Sequence, residues 1–190
     1  IEAITMEPHT SGYLSASKTR WKSNLYHGRL LPGGENSGKM VTAIREKAEE
    51  FAKENGVEFI FIDGAPGIGC PVIASITGCD LAILVTEPTL SGLHDLERIW
   101  QLTKHFQIPS WVVINKSDLS LENTQAIHKF CQEKNIPIVA EIPFDDDVVR
   151  SMTIGLSTIE YNPNGVFAQQ IKNIWNECVN FSQQVISRTE

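Results

Sequence analysis

The sequence predicts an α/β protein with a doubly wound, mostly parallel sheet carrying helices on both faces, and three observations carry that prediction. Short runs of β-formers recur along the chain, at Val57–Asp63, Leu81–Thr86, Trp111–Asn115 and Ile136–Ile142. They are near-continuously apolar, the pattern of strands covered on both faces, as parallel strands are. Stretches with an apolar period of 3.6 lie between them, and strand–helix alternation at this spacing is what right-handed crossovers connect.

Taken in order, residues 1–32 are polar and turn-rich, with alternating pieces at 12–17 and 24–30 that read as short strands or an extended arm. From Gly38 the period becomes helical, with Met40, Ile44, Ala48 and Phe51 on one face and Asn55-Gly56 as the stop signal. After the first apolar run, Cys70 opens a short apolar helix and reads as a small buried residue rather than a nucleophile, since no His lies near it in sequence. Helices follow at roughly 91–106 (Leu93, Leu96, Trp100) and 120–134 (Thr124, Ile127, Cys131). A last helix near 165–186 carries the stripe Phe167, Ile171, Ile174, Cys178, Phe181 and Val185.

Composition narrows the function. The chain has 190 residues, 42% hydrophobic and 21% charged, and a formal net charge of −7. That balance suits a folded domain, one or one with an appendage, and argues against nucleic acid as a partner of the whole surface. The four cysteines, Cys70, Cys79, Cys131 and Cys178, form no C-x-x-C pair, so a disulfide framework is not indicated and a reducing cytoplasm is the expected setting. No apolar run is long enough to span a membrane, and the start at Ile1 rather than Met fits a piece of something longer.

In a doubly wound sheet, ligands sit beyond the carboxyl ends of the strands. There the chain has Asp63-Gly64-Ala65-Pro66-Gly67-Ile68-Gly69, Thr86-Glu87-Pro88-Thr89, Asn115-Lys116-Ser117-Asp118 and Pro143-Phe144-Asp145. An apolar run ending in Asp63 and followed by Gly64, Gly67 and Gly69 matches a Walker B carboxylate with a switch loop. Such a carboxylate holds Mg²⁺ through water, and glycine amides can approach a γ-phosphate. The alternative is that Asp63 only caps its turn. Asn115, Lys116 and Asp118 fit N-K-x-D: the Asn braces the loop or meets a base, the Lys stem lies over the base, and the Asp can accept two donors from guanine. Asp118 could equally cap the helix near 120, and Asp145 the helix after it. Gly33–Lys39 fits G-x-x-x-x-G-K, yet Met40 stands where a Mg²⁺-binding Ser or Thr belongs. Gly38 and Lys39 are therefore expected to open a helix N-terminus near a nucleotide or a partner copy rather than to form a phosphate-binding loop.

The stretches Glu35–Lys39, Ile62–Val72, Val85–Asp95, Ile114–Asp118 and Ile142–Asp145 together resemble the MinD/ParA group of P-loop ATPases. More closely, they are similar to the archaeal and bacterial branch with an inserted ferredoxin-like domain. The resemblance implies a Mg²⁺-ATP-dependent dimeric switch with Asp63 as its catalytic and metal-holding carboxylate. It places Asn115 and the Pro143–Asp145 turn around adenine. It further implies a phosphate-binding loop and two [4Fe-4S] clusters in segments upstream of this chain, with 1–32 as an arm following that insertion and 33–190 as the C-terminal part of the ATPase domain. The expected partners are nucleotide, a second copy and a redox or iron–sulfur protein. The chain alone, without the phosphate cradle, is expected to be inactive. Two other readings are a GTPase using N-K-x-D and a non-catalytic module whose sheet rim docks a partner.

Overall fold

A computed structural model describes residues 9–33 and 36–189. Residues 1–8, 34, 35 and 190 lie outside the described residues, and with them the start of the expected arm and the Gly34-Glu35 part of the G-x-x-x-x-G-K stretch. The chain divides between Cys79 and Asp80 into two compact units.

In the first unit, the alternating segments form an antiparallel hairpin of β1 (Gly12–Lys18) and β2 (Asn24–Leu30), with Tyr13 opposite Arg29 and Ser17 opposite Leu25. One face of the hairpin lies on α1 (Ser37–Asn55). The approach is close: a Cβ at Gly28 would come within 2.6 Å of Met40 Sδ and 2.8 Å of Ile44 Cδ1. Met40, which stands where a metal-binding hydroxyl would be needed, is thus a packing residue beneath the hairpin. The Tyr26 and Phe51 rings meet at 6.1 Å on the same interface. Gly56 ends α1 with φ 62°, the left-handed stop that Asn55-Gly56 predicts. The half-buried Arg45 then ties α1 to α2 (Cys70–Ile76). Its guanidinium donates to the carbonyls of Ala74 (2.8 Å), Ser75 (3.2 Å) and Thr77 at the end of α2 and pairs with Glu49 at 3.1 Å.

Two expectations fail here. Val57–Asp63 enters no β-ladder among the described residues, although Phe59 and Phe61, two apart, stack with centroids 6.3 Å apart as an extended backbone allows. A strand exists through its lateral hydrogen bonds, and β-propensity cannot supply the neighbour that makes them. Cys70, expected to be buried, is exposed, because it is the first residue of α2 and not part of its packed side.

The second unit is the predicted alternation. Strands β3 (Ala82–Thr86), β4 (Ser110–Asn115) and β5 (Ile138–Ile142) form a parallel sheet in the order β3-β4-β5. They are joined by α3 (Leu90–His105) and α4 (Leu121–Lys134), close to the predicted bounds. Helices α5 (Asp146–Thr153), α6 (Thr158–Tyr161) and α7 (Val166–Thr189) follow. Val113, Ala140 and Ile142 pack with Phe167, Ile171 and Ile174 of α7 on one face of the sheet. Val112 and Ile114 point the opposite way by strand alternation and are also fully buried, so β4 is covered on both faces, as its unbroken apolar run demands, whereas Val85 near the end of β3 is 66% exposed. Leu96 of α3 and Ile127 and Cys131 of α4 are buried as their period predicts. No helix of the described residues is long and apolar enough to cross a membrane.

The thiols separate by environment. Burial pushes the Cys131 thiol up to about 11, and burial together with the Glu177 carboxylate raises that of Cys178. The thiolate is the reactive form, so neither reacts readily near neutral pH. A disulfide-exchange reagent at pH 8 is expected to label Cys70 first and to reach Cys131 and Cys178 only after denaturant is added. Labelling of Cys131 at the rate of Cys70 would contradict the packing described.

Candidate functional site

The carboxyl ends of β3, β4 and β5 emerge side by side because the strands are parallel and their ends are aligned, with Thr86 opposite Ile114 and Asn115 opposite Ile142, beyond an irregularity that shifts the β4–β5 register between Val112 and Val113. Their three turns are bonded to one another. Lys116 takes a left-handed backbone (φ 53°), and its Nζ lies 2.7 Å from Oε1 of Glu87 in the turn after β3. The Ser117 amide donates to the Ile142 carbonyl at 3.0 Å, and Thr124 Oγ1 of α4 donates to the Ser117 carbonyl at 2.8 Å. Asp118 Oδ1 accepts the Phe144 amide at 2.7 Å, across 26 residues of chain.

Asn115, Lys116, Asp118, Pro143 and Asp145 thus share one rim. Two local roles are also settled. Ser120, not Asp118, caps α4, its hydroxyl accepting the Asn123 amide at 3.3 Å. Asp145 caps α5 through the Asp147 amide at 2.8 Å, the alternative that the sequence left open. Ionised carboxylates near a helix start also suit its partial positive charge.

The turn after β3 is held from below. Thr86 Oγ1 donates to the Gly92 carbonyl at 3.0 Å, and Thr89 caps α3 by accepting the Gly92 amide at 2.9 Å. A Cβ on Gly92 would overlap the Glu87 carbonyl oxygen and approach Thr89 Oγ1 and Thr86 Oγ1 to 3.0 and 3.1 Å. Glycine is needed here for space rather than for its backbone freedom. Sequence reasoning places Glu87 in the polar turn after the second apolar run and Gly92 in the Val85–Asp95 stretch. What it misses is that Glu87 pairs with Lys116 and that Gly92 seats the turn through its lack of a side chain, both contacts that only the folded chain makes.

In the other unit, Asp63 is exposed at the head of the glycine loop. Of the three loop glycines only Gly67 needs its freedom, with φ 87°, and neither Gly64 nor Gly67 has an atom within 4 Å of a would-be Cβ. The backbone is open to a ligand at both. Gly38 sits against the end of this loop, its would-be Cβ 3.2 Å from Cys70 Cβ, so the Gly38-Lys39 turn and the start of α2 are neighbours. Asn36 precedes α1 in a left-handed conformation, with no side-chain bond capping the helix.

A parallel α/β sheet with its polar turns collected at the strand carboxyl ends defines a doubly wound protein of the nucleotide-binding architecture. No protein-family model matches the chain. It is 29% identical over 157 residues to an uncharacterized protein of Methanocaldococcus jannaschii, covering 83% of this chain and 51% of that one. An uncharacterized ATP-binding protein of the same archaeon is 28% identical over 183 residues, covering 92% of this chain and 68% of the relative. The septum site-determining protein MinD of Bacillus subtilis is 27% identical over 134 residues, 66% of this chain and 49% of its own. The chain therefore spans about half the length of the first of these relatives. Among solved structures, the MinD cell division protein of Aquifex aeolicus superposes with a TM-score of 0.62 at 17% identity, over 91% of this chain and 68% of that one. Pyrococcus horikoshii MinD, complexed with Mg-ADP, superposes with a TM-score of 0.55 at 20% identity, over 78% and 55%. These likenesses show the MinD fold. Together with the sequence relatives, they support kinship with the MinD/ParA-type P-loop ATPases.

Gly92→Ala is expected to destabilise the fold by about 1–3 kcal/mol, the usual range for overpacking, in urea unfolding followed by circular dichroism. A neutral result would mean that the turn after β3 is free to move away from α3.

Proposed function

We propose that this chain carries the base-binding and switch elements of a Mg²⁺-dependent, ATP-hydrolysing switch protein of the MinD/ParA type, working as a homodimer in the cytoplasm. One observation carries the reading: the Asp118–Phe144 bond fuses the Asn115–Asp118 and Pro143–Asp145 turns into a single preformed edge. An edge whose backbone is already fixed loses little entropy when a flat base slides against it. In this reading Asn115 and the Pro143–Asp145 backbone meet adenine, while Lys116, held by Glu87, lends its stem to one side of the slot.

Asp63 supplies an exposed carboxylate beside an open glycine backbone, a donor set suited to a hard cation held through water. Mg²⁺ there would neutralise charge on the phosphates. Gly64, Gly67 and Gly69 would report the presence of the terminal phosphate by backbone contact, with Gly38 and Lys39 at the neighbouring helix start. Among the described residues no group of three or more His, Cys, Asp or Glu could hold a metal ion, so the iron–sulfur side of the reading rests on the family resemblance alone. Clusters, in our reading, belong to other segments of a longer protein and to its redox partner.

A GTPase remains a second reading because N-K-x-D is literally present. Asp118 Oδ1 accepts the Phe144 amide and the carboxylate keeps further lone pairs for a base, so this contact does not choose between the bases. Adenine is the preferred reading because one relative is named an ATP-binding protein and one structural neighbour is complexed with Mg-ADP.

Titration of the isotope-labelled chain with Mg-ATP is expected to shift the amides of Asn115–Asp118 and Phe144–Asp145, and Mg-GTP to shift them less. No shift at either turn would favour a non-catalytic docking module, and a stronger GTP effect the GTPase. In the intact protein Asp63→Ala is expected to lower Mg²⁺-dependent ATP turnover at least a hundredfold. Retained turnover would remove Asp63 from the mechanism.

A further inference from the structure

The hairpin has a second face. The pairs Tyr13–Arg29, Ser15–His27 and Ser17–Leu25 lie on the side opposite Gly28 and Tyr26, which pack on α1, and all six residues are exposed. Tyr13 is 60% exposed, and Ser17 Oγ lies 3.2 Å from His27 Nε2. At the tip, the Arg20 guanidinium lies 4.4 Å over the ring of Trp21, itself 60% exposed, with Lys18 and Lys22 on either side in sequence.

The charge of this segment is opposite to that of the chain. Residues 8–34 hold four of the sixteen Lys and Arg residues and none of the twenty-three Asp and Glu residues. The net charge of −7 argues against nucleic acid only as an average over the whole surface. Screening confines a group's field to about 8–10 Å, so cations along this strip act on a ligand laid against it whatever the net charge of the whole chain.

We propose that the outward face of the hairpin binds single-stranded nucleic acid. Aromatic rings spaced along a basic, hydroxyl-bearing strip are what unpaired bases and phosphates recognise: bases stack on the rings and phosphates take Arg, Lys and Ser donors. The strip runs about 20 Å from Tyr13 to the tip, at roughly 3.3 Å per strand residue, the reach of a few nucleotides. An anionic bilayer suits it less well, because Ser15, Ser17 and His27 separate Tyr13 from Trp21 and leave only Leu25 beside the tip as apolar surface. The inference stands apart from the ATPase reading and survives its failure.

Fluorescence anisotropy with labelled fifteen-residue oligo-dT and oligo-U tests it. The whole chain should bind with micromolar affinity at low salt, log affinity falling with log salt at a slope of about −2 to −3, since each phosphate neutralised on a single strand contributes about 0.7. Trp21→Ala should weaken binding about tenfold, while Trp21→Phe stays within a few-fold of the parent. Lys22→Ala with Arg29→Ala should flatten the salt slope by about 1.4. These side chains are exposed, so the thermal melt should be unchanged, and it serves as the folding control. Absence of binding, parental affinity in Trp21→Ala, equal affinity for a duplex, or binding to phosphatidylglycerol vesicles without binding to the oligonucleotides would each overturn the proposal.

Discussion

The hydrogen bond from the Phe144 amide to Asp118 Oδ1, 2.7 Å long, is the contact on which the rim depends. A bond with an ionised acceptor contributes about 1.5–3 kcal/mol when sheltered, and less at an exposed residue such as Asp118. Its larger effect is on shape. Two turns that follow different strands, each free to fray alone, become one edge. The Ser117 amide bond to the Ile142 carbonyl sets the same two turns at a fixed spacing. Neither bond could form if β4 and β5 were not parallel neighbours in the observed register.

The third turn joins by different physics. Glu87 meets Lys116 in an ion pair whose two side chains are about two-fifths exposed, so its net contribution is small. Its geometry is secured instead by the close seating of Gly92 under the Glu87 carbonyl and by the cap at Thr89. Steric fit fixes the backbone, and the ion pair only directs the Lys116 stem toward Glu87. In the proposed function this division matters: the backbone of the turn is set before a base arrives.

Much of this was legible in the sequence because it rests on periodicity. The runs at 81–86, 111–115 and 136–142 became β3, β4 and β5, α1 stopped at Gly56 as predicted, and α3 and α4 lie within one residue of the ranges that their apolar period predicts. What was not legible is non-local. Val57–Asp63 has the composition of a strand, but pairing is a property of two segments, and the described ladders do not include it. Asp118 and Asp145 look alike in sequence, each a carboxylate in a turn that precedes a helix. One caps its helix, and the other bonds a backbone amide 26 residues away. Cys70 was misjudged because apolar surroundings in sequence do not decide which side of a first helical turn faces inward. The role of Met40 became clear only when the hairpin was seen lying over it.

Hydrogen exchange at the Phe144 amide tests the central claim most directly. In the parent chain this amide should exchange slowly, and in Asp118→Ala it should exchange at least tenfold faster, while the amides of Val113 and Ile114 in β4 keep their protection. Rapid exchange of the Phe144 amide in the parent, or protection unchanged by the substitution, would contradict the account of a rim preassembled by Asp118.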